Sequence, residues 1–317
     1  MRAAILYGVH DFRIEERPEP VISEDECLVK VKVCGVCHSE LHQWNEKIAS
    51  LEYPRHIGHE VAGEIIKTGK NVKDYKVGDR VAVWTEGKGY AEKVAANTSV
   101  LSPIADRIPY KEALSEPIAC TTNGVMRANV QLNDIVVIVG TGFMGLILLQ
   151  EIKLLGAKKI IAVDVRDEML AEAKKLGADL IFNPQKVNVI EEVKNITGGR
   201  GADVCFEAGG IESTLNLAAE LCRMEGKLVI FGYHPGQRKI NDLGYWNWMA
   251  FDIINAHFRN IDTILKGSRI GMELLNEGKI SMSSLITHTY PLEKIEEAFI
   301  AAKEKPQGFI KSVLVME

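Results

Sequence analysis

Hydrophobic and polar residues alternate over parts of the first third of the chain. Between Cys27 and Val33, three valines alternate with two lysines. This period of two is typical of a strand that buries one face. Glycines punctuate residues 61–83, which indicates short strands joined by tight turns. The first third of the chain is therefore predicted to be β-rich.

The pattern changes near Asp134. Residues 135–139 form a continuous apolar run, as in a parallel strand that is buried on both faces. Strands and helices are then predicted to alternate, at 135–139, 145–155, 159–163, 168–176, 180–182, 204–207, 214–222 and 227–231. Such alternation predicts an α/β fold with a doubly wound parallel sheet. The remainder is predicted to be helical at 261–275 and 292–303, with a final strand at 310–315.

Length and charge narrow the classes of function. The chain has 317 residues, which fits two domains, and a net charge of -5 without a long basic run. A nucleic-acid partner is therefore not expected. We find no secretory signal and no apolar segment of roughly 20 residues, so we expect a cytoplasmic protein that does not enter a membrane. The spacing of the six cysteines does not indicate a disulfide framework.

A glycine-rich turn follows the strand predicted at 135–139 and opens a helix. Its sequence is Gly140-Thr141-Gly142-Phe143-Met144-Gly145. Glycines here allow a tight turn, close approach of a pyrophosphate to the backbone, and close packing of helix on strand. The helix N-terminus adds free N–H groups and the positive end of a dipole. The pattern predicts a dinucleotide site; the alternative is a glycine-rich turn in some other α/β fold.

Asp164 ends the next apolar strand, 19 residues after Gly145. A carboxylate at this place can accept hydrogen bonds from the adenine-ribose hydroxyls of NAD. The same charge repels the 2′-phosphate of NADP, so NAD is the predicted cofactor. Arg166 lies two residues further on and could accommodate a 2′-phosphate, which leaves NADP as the alternative.

Candidate metal ligands lie in the N-terminal half. A catalytic zinc takes three protein ligands and keeps one position open. Cys37, His59 and Glu116 offer a thiolate, an imidazole and a carboxylate. Cys120 is an alternative to Glu116 as the third ligand. Cys34 and Cys37 form a CxxC motif, but no second CxxC exists in the sequence, so a redox pair is not favoured.

These motifs resemble those of the zinc-containing medium-chain alcohol dehydrogenases. The zinc signature of that family is similar, throughout its length, to Gly58-His59-Glu60-x2-Gly63-x5-Gly69-x2-Val72. Its first-ligand motif resembles residues 36–42, with Glu40 where aspartate is more usual. Residues 77–81 and 89–92 also match. The resemblance covers essentially the whole chain and implies a β-rich GroES-like catalytic domain at 1–118, completed by 259–317, and a Rossmann dinucleotide-binding domain at 119–258.

The resemblance also implies roles for individual residues. Cys37, His59 and Glu116 match the positions of the catalytic-zinc ligands, and the pair Glu116-Pro117 resembles the sorbitol dehydrogenase branch. Glu60 would be an acid beside the zinc that can swing onto the metal. The proton relay is matched by Ser39 and His42. Lys311 is the cation that the family places near the cofactor pyrophosphate.

One departure from the family pattern bears on the metal content. Many members carry a lobe with four closely spaced cysteines for a structural zinc, whereas only residues 84–89 separate Val83 from Tyr90 here. We therefore expect one zinc per chain. Four histidines fall in no motif, and structural roles are expected for them: His56, His234, His257 and His288.

The resemblance implies an enzyme that oxidises a secondary alcohol of a polyol, cyclitol or sugar derivative to the ketone, reversibly, with NAD. A carboxylate ligand makes the zinc shell harder, which suits oxygen-rich substrates. The expected partners are a small-molecule substrate and further copies of the chain, in a homodimer or homotetramer. Alternatives are a simple alcohol dehydrogenase or carbonyl reductase, a zinc-free reductase on the same fold, and a non-catalytic NAD-binding scaffold protein.

Overall fold

The computed structural model describes residues 1–48 and 50–316. The chain divides into two compact units, which we call unit 1 (Met1–Ala119 and Ile264–Glu317) and unit 2 (Cys120–Thr263). The chain passes from one unit to the other twice, inside the helices Ser115–Ala128 and Ile261–Asn276. Among the described residues, no helix is both long enough and apolar enough to cross a membrane. The cytoplasmic location expected from the sequence stays a prediction.

The strands are numbered in chain order. They are β1 (Arg2–Gly8), β2 (Asp11–Glu16), β3 (Glu26–Gly35), β4 (Glu60–Thr68), β5 (Arg80–Trp84), β6 (Lys93–Asn97), β7 (Leu101–Pro103), β8 (Ile135–Val139), β9 (Lys159–Val163), β10 (Leu180–Phe182), β11 (Ala202–Glu207), β12 (Cys222–Ile230), β13 (Asp252–Asn255), β14 (Ile286–Pro291) and β15 (Lys311–Val315).

The α-helices are numbered in the same way. They are α1 (His38–Asn45), α2 (Ser115–Ala128), α3 (Phe143–Leu154), α4 (Asp167–Leu176), α5 (Val189–Ile196), α6 (Glu212–Leu221), α7 (Leu243–Trp248), α8 (Ile261–Asn276) and α9 (Ile295–Glu304).

Unit 1 is organised around a mixed sheet with the order β14-β15-β3-β4-β5-β7, in which β6 also pairs with β3. The valines of β3 that alternate with lysines are buried, as the period of two predicts. Helix α9 packs on the sheet through Phe299, whose ring contacts the rings of Trp44 and Tyr90. The Trp44 indole N–H also donates to Glu296 Oε2 at 2.8 Å. Trp44 belongs to α1, so these contacts hold that helix in place.

Unit 2 contains a six-stranded parallel sheet with the order β10-β9-β8-β11-β12-β13. The doubly wound parallel sheet predicted from the sequence is therefore confirmed. All five residues of β8 are buried because strands lie on both of its sides and helices cover its faces. Strand order reverses between β8 and β11, and ligands of such sheets bind outside the carboxyl ends of the strands at this reversal.

Candidate active site

A thiol, an imidazole and a carboxylate come together in unit 1. Ligand atoms of Cys37, His59 and Glu60 all lie within 4.8 Å of one another. Antiparallel pairing explains the juxtaposition, since Gly35 at the end of β3 lies opposite Glu60 at the start of β4. Cys37 follows two residues after Gly35, at the N-cap of α1. The combination of sulfur, nitrogen and oxygen donors is one that Zn²⁺ accepts.

Glu40 orients the imidazole of His59. Its Oε1 lies 2.8 Å from His59 Nδ1 and accepts a hydrogen bond from the Gly58 N–H at 2.6 Å. Its Oε2 accepts a hydrogen bond from the Tyr90 hydroxyl. A carboxylate on one ring nitrogen leaves the other nitrogen to face the donor cluster, and such partners fix metal-binding histidines. The sequence alone predicts no role for Glu40, although its place in the first-ligand motif is a signal for one.

The electrostatics of this cluster favour a bound cation. Burial lowers the His59 pKa, but the charges of Glu40 and Cys37 outweigh burial and hold the pKa well above its usual value. Burial raises the Glu40 pKa, yet His59 and the Tyr90 hydroxyl bring it below the usual value. A site that attracts a proton so strongly also attracts a metal ion, which would displace that proton on binding.

Lys311 lies beside the cluster. Its Nζ is 2.7 Å from Glu60 Oε1, and both side chains are buried. Burial lowers the Lys311 pKa, but Glu60, Cys37 and Glu116 together raise it above the usual value. The other oxygen of Glu60, Oε2, is buried without a hydrogen-bond partner among the described residues. This orphaned oxygen fits a metal ligand.

The donor cluster contains a carboxylate that differs from the predicted third ligand. Among the described residues, the mutually close donor atoms belong to Cys37, His59 and Glu60. Glu116 lies at the start of α2, and its charge contributes to raising the Lys311 pKa. Its assignment to the zinc stays a prediction.

Ser39 and His42 both lie on α1. The Ser39 hydroxyl donates to Cys37 Sγ at 3.3 Å. His42, three residues later, lies close to the same helix face. Its side chain is 23% exposed and its Nδ1 is 3.6 Å from Glu46 Oε2. The helix thus carries one hydroxyl next to the donor cluster and one imidazole in contact with solvent.

His38, the first residue of α1, has basic neighbours that the sequence does not predict. Burial lowers the His38 pKa, and the nearby side chains of Lys305, His42 and Lys311 lower it further.

The glycine-rich turn in unit 2 has the geometry that its sequence predicts. Gly140 has φ +97°, and a Cβ on it would lie 2.7 Å from the Gly209 nitrogen. A Cβ on Gly145 would overlap the Gly140 carbonyl oxygen. Side chains are therefore excluded at both positions, and backbone amides are left to face a ligand at the N-terminus of α3. Gly142 is the N-cap of that helix.

The other residues of the turn alternate between core and surface. Thr141 and Phe143 are buried, and Met144 is half-buried. Asp164, after β9, accepts hydrogen bonds from the Thr141 N–H at 2.9 Å and the Arg166 N–H at 3.0 Å. The Arg166 Nε lies 3.6 Å from Asp164 Oδ1. The acid and the arginine predicted to bear on cofactor choice are thus neighbours of the turn.

Comparison with protein families identifies both parts of the chain. Residues 23–110 match the alcohol dehydrogenase GroES-like domain, and residues 144–273 match the zinc-binding dehydrogenase domain. The site and the fold together therefore define a zinc-binding dehydrogenase.

Individual relatives agree with the family match. The sorbitol dehydrogenase of Bacillus subtilis (strain 168) is 33% identical, over 94% of this chain and 92% of that protein. The D-arabitol-phosphate dehydrogenase of Enterococcus avium is 31% identical, over 88% and 87% of the two chains. The crystal structure of 2R,3R-butanediol dehydrogenase from Bacillus subtilis superposes with a TM-score of 0.87, at 26% identity and with 99% of each chain covered.

This chain belongs to the zinc-containing medium-chain alcohol dehydrogenase family. The resemblance described from the sequence is confirmed, as is the fold class of a GroES-like part and a Rossmann part. Membership makes the chain an oxidoreductase that works with zinc and a nicotinamide cofactor.

Proposed function

We propose that this enzyme oxidises a secondary hydroxyl of a polyol or sugar alcohol to the ketone, reversibly, with NAD. The donor cluster carries the proposal, because its single thiolate is accompanied by an imidazole and a carboxylate. Such a shell is harder than one with two thiolates and suits a substrate rich in oxygen. The relatives are named as dehydrogenases of sorbitol, D-arabitol phosphate and 2R,3R-butanediol, which supports the same class of substrate.

We assign zinc binding to Cys37, His59 and one carboxylate. The grouping of donor atoms favours Glu60 as the third ligand, and Glu116 is the alternative that the sequence predicts. We expect one zinc per chain, because the described segment Trp84–Gly89 has no four-cysteine lobe. In this scheme unit 1 is the catalytic domain and unit 2 the dinucleotide-binding domain.

The bound zinc ion supplies Lewis-acid chemistry, and the nicotinamide ring supplies hydride chemistry. The chain's own residues hold the ligands in place and move the proton. In this proposal Ser39 Oγ, next to Cys37 Sγ, accepts the hydroxyl proton of the substrate as it passes its own proton on toward His42. His42, further along α1 and partly exposed, is placed to pass that proton to solvent.

Cofactor choice rests on two neighbouring side chains. The Asp164 carboxylate carries a negative charge next to the glycine-rich turn, which disfavours a 2′-phosphate and favours NAD. A Cβ on Gly142 would lie 3.7 Å from Arg166 Nη2, so the guanidinium lies near the same turn and could favour NADP. We propose NAD, because Asp164 already pairs with Arg166 and offsets its charge.

We propose that the protein forms a homo-oligomer through unit 2. Strand β13 is the last in the order of its sheet, so one of its edges lacks a paired strand among the described residues. Large apolar side chains are exposed on it and in the preceding helix α7: Ile253 of the strand is 51% exposed, and Trp248 and Leu243 of the helix are 77% and 62% exposed. Exposed edges bearing apolar residues are suited to pairing with a second copy.

The substrate class is tested by comparing kcat/KM with NAD for sorbitol, xylitol, myo-inositol, 2-butanol and ethanol. We expect kcat/KM for at least one polyol to exceed the values for both simple alcohols by about tenfold or more. A site that hydrogen-bonds several substrate hydroxyls leaves its polar groups unpaired when the substrate has only one hydroxyl. A tenfold advantage for the simple alcohols would contradict the polyol assignment while leaving the dehydrogenase activity intact.

A further inference from the structure

A buried pair of side chains in unit 2 lies apart from the residues assigned so far. Glu207 is the last residue of β11 and is fully buried. Its Oε2 lies 2.7 Å from His234 Nε2. Its Oε1 accepts hydrogen bonds from the N–H groups of Gly209 and Gly210, at 2.8 and 2.7 Å, and from the Thr214 hydroxyl at 2.6 Å. One carboxylate therefore joins the turn after β11 to the segment after β12.

The pair lies next to the predicted cofactor turn. Strand order reverses between β8 and β11, so ligands are expected outside the carboxyl ends of these two strands. Gly140, which follows β8, packs so closely on the turn after β11 that a Cβ would lie 2.7 Å from the Gly209 nitrogen. Glu207 thus fixes the backbone that packs directly against the glycine-rich turn.

The position of the pair in the strand order indicates which half of the cofactor lies next to it. Asp164, proposed to meet the adenine ribose, follows β9, on one side of β8. His234 follows β12, on the other side of β8 and beyond β11. A dinucleotide whose pyrophosphate lies over the turn after β8 therefore extends its nicotinamide half toward the segment 232–234.

His234 depends on Glu207 for its orientation. Its side chain is only 13% exposed, and its Nδ1 is buried without a hydrogen-bond partner within residues 1–48 and 50–316. Because a carboxylate oxygen accepts, Nε2 carries the hydrogen in this pair. At the other end of the segment 232–234, the Gly232 carbonyl oxygen lies 3.1 Å from His257 Nε2. Between these two contacts, the ring of Tyr233 is exposed.

We propose that Glu207 and His234 are positioning residues for the nicotinamide half of the cofactor. The pair holds the segment 232–234 at the carboxyl end of β12, so that this segment forms the wall against which the nicotinamide ribose and ring are placed. The inference rests on the proposed NAD site at Gly140–Gly145 and goes beyond it by assigning a positioning role to a pair of side chains that no motif includes.

The test compares NADH with ADP, which lacks the nicotinamide half. Calorimetric titration of the zinc-loaded protein should show that His234→Leu weakens NADH binding by about tenfold, because the segment 232–234 loses the charged hydrogen bond that fixes its position, and leaves ADP binding unchanged. His234→Gln keeps an N–H near the position of Nε2 and should restore NADH affinity to within about threefold of the original. His288→Leu, at a half-buried histidine of unit 1, is the matched control and should change neither affinity.

Three results would overturn the inference. NADH affinity could be unchanged in His234→Leu, both nucleotides could weaken equally, or the Gln variant could fail to recover binding. Equal weakening together with a lower Tm would show that the pair serves folding alone. If the unaltered protein bound neither NADH nor ADP, the proposed NAD site itself would be wrong, and this inference would fall with it.

Discussion

The buried carboxyl groups beside the donor cluster of unit 1 have different partners from the one on helix α3 of unit 2. In unit 1, Glu40 pairs with His59 and Glu60 with Lys311. In unit 2, Glu151 on α3 is buried against the hydroxyls of Thr121 and Thr122, which both donate to its Oε1. Burial therefore raises the Glu151 pKa to about 8. Three buried carboxyl groups therefore have a basic side chain as partner, two of them in unit 1 and Glu207 in unit 2, whereas Glu151 is held by hydroxyls and burial favours its protonated form.

The largest expected effect concerns the carboxylate at the metal site. Glu60→Gln should lose zinc and lower activity on the order of 10³-fold, whereas Glu116→Gln, the matched change, should keep its zinc. Metal analysis and NADH absorbance measure both effects. Loss of zinc from the Glu116 variant alone would make Glu116 the third ligand, as the sequence predicts. Retention by both variants would contradict a carboxylate ligand altogether.

At Glu151, in contrast, burial disfavours the charged form of the carboxyl group. Its folded pKa of about 8 lies above the ordinary glutamate value of 4.5, so between these pH values the folded state holds a proton that the unfolded state has lost. Stability should therefore fall as pH rises from 5 to 8, by about 3 kcal/mol from this group. Glu151→Gln cannot titrate and should remove that fall. Urea unfolding of both proteins at pH 5 and pH 8 measures the change in the free energy of unfolding. If Glu151→Gln showed the same change with pH as the original protein, Glu151 would not be a buried neutral acid.

A smaller effect is expected at the glycine-rich turn of unit 2, where backbone N–H groups instead of side chains are proposed to bind the cofactor. Gly140→Ala places a Cβ at a position with φ +97° and only 2.7 Å from the Gly209 nitrogen. The strain corresponds to roughly 1–3 kcal/mol and should weaken NADH binding by about ten- to a hundredfold, while zinc content is unchanged. Gly8→Ala is the control, because a Cβ at Gly8 meets nothing within 4 Å. Undiminished NADH binding in Gly140→Ala would remove this turn from the cofactor site.

Much of unit 2 could be predicted from the sequence. Strands β8, β9 and β10 begin and end where the apolar runs predict. The predicted strand at 227–231 is shorter than β12, which begins at Cys222. No apolar run marks the first part of β12, because Met224 and Glu225 are exposed and Glu225 has a positive φ. Helix α5 was not predicted from the sequence at all.

The candidate site was predictable only in part. The glycine-rich turn can be recognised because close approach demands glycine at fixed spacing. The pairing of Glu207 with His234, 27 residues apart, depends on the order of neighbouring strands, which no local pattern encodes. The same holds for Glu60 and Lys311, which are 251 residues apart. Side-chain networks of this kind become visible only when the fold is known.

The central claim is that one zinc ion, held by Cys37, His59 and a carboxylate, is required for NAD-linked oxidation. The most direct measurement determines zinc content and sorbitol-dependent NADH formation on the same samples, before chelation, after removal of the chelator, and after zinc is restored. We predict close to one zinc per chain, loss of activity in step with loss of zinc, and recovery on its return. Full activity in protein stripped of zinc, or two tightly held zinc ions per chain, would contradict the account.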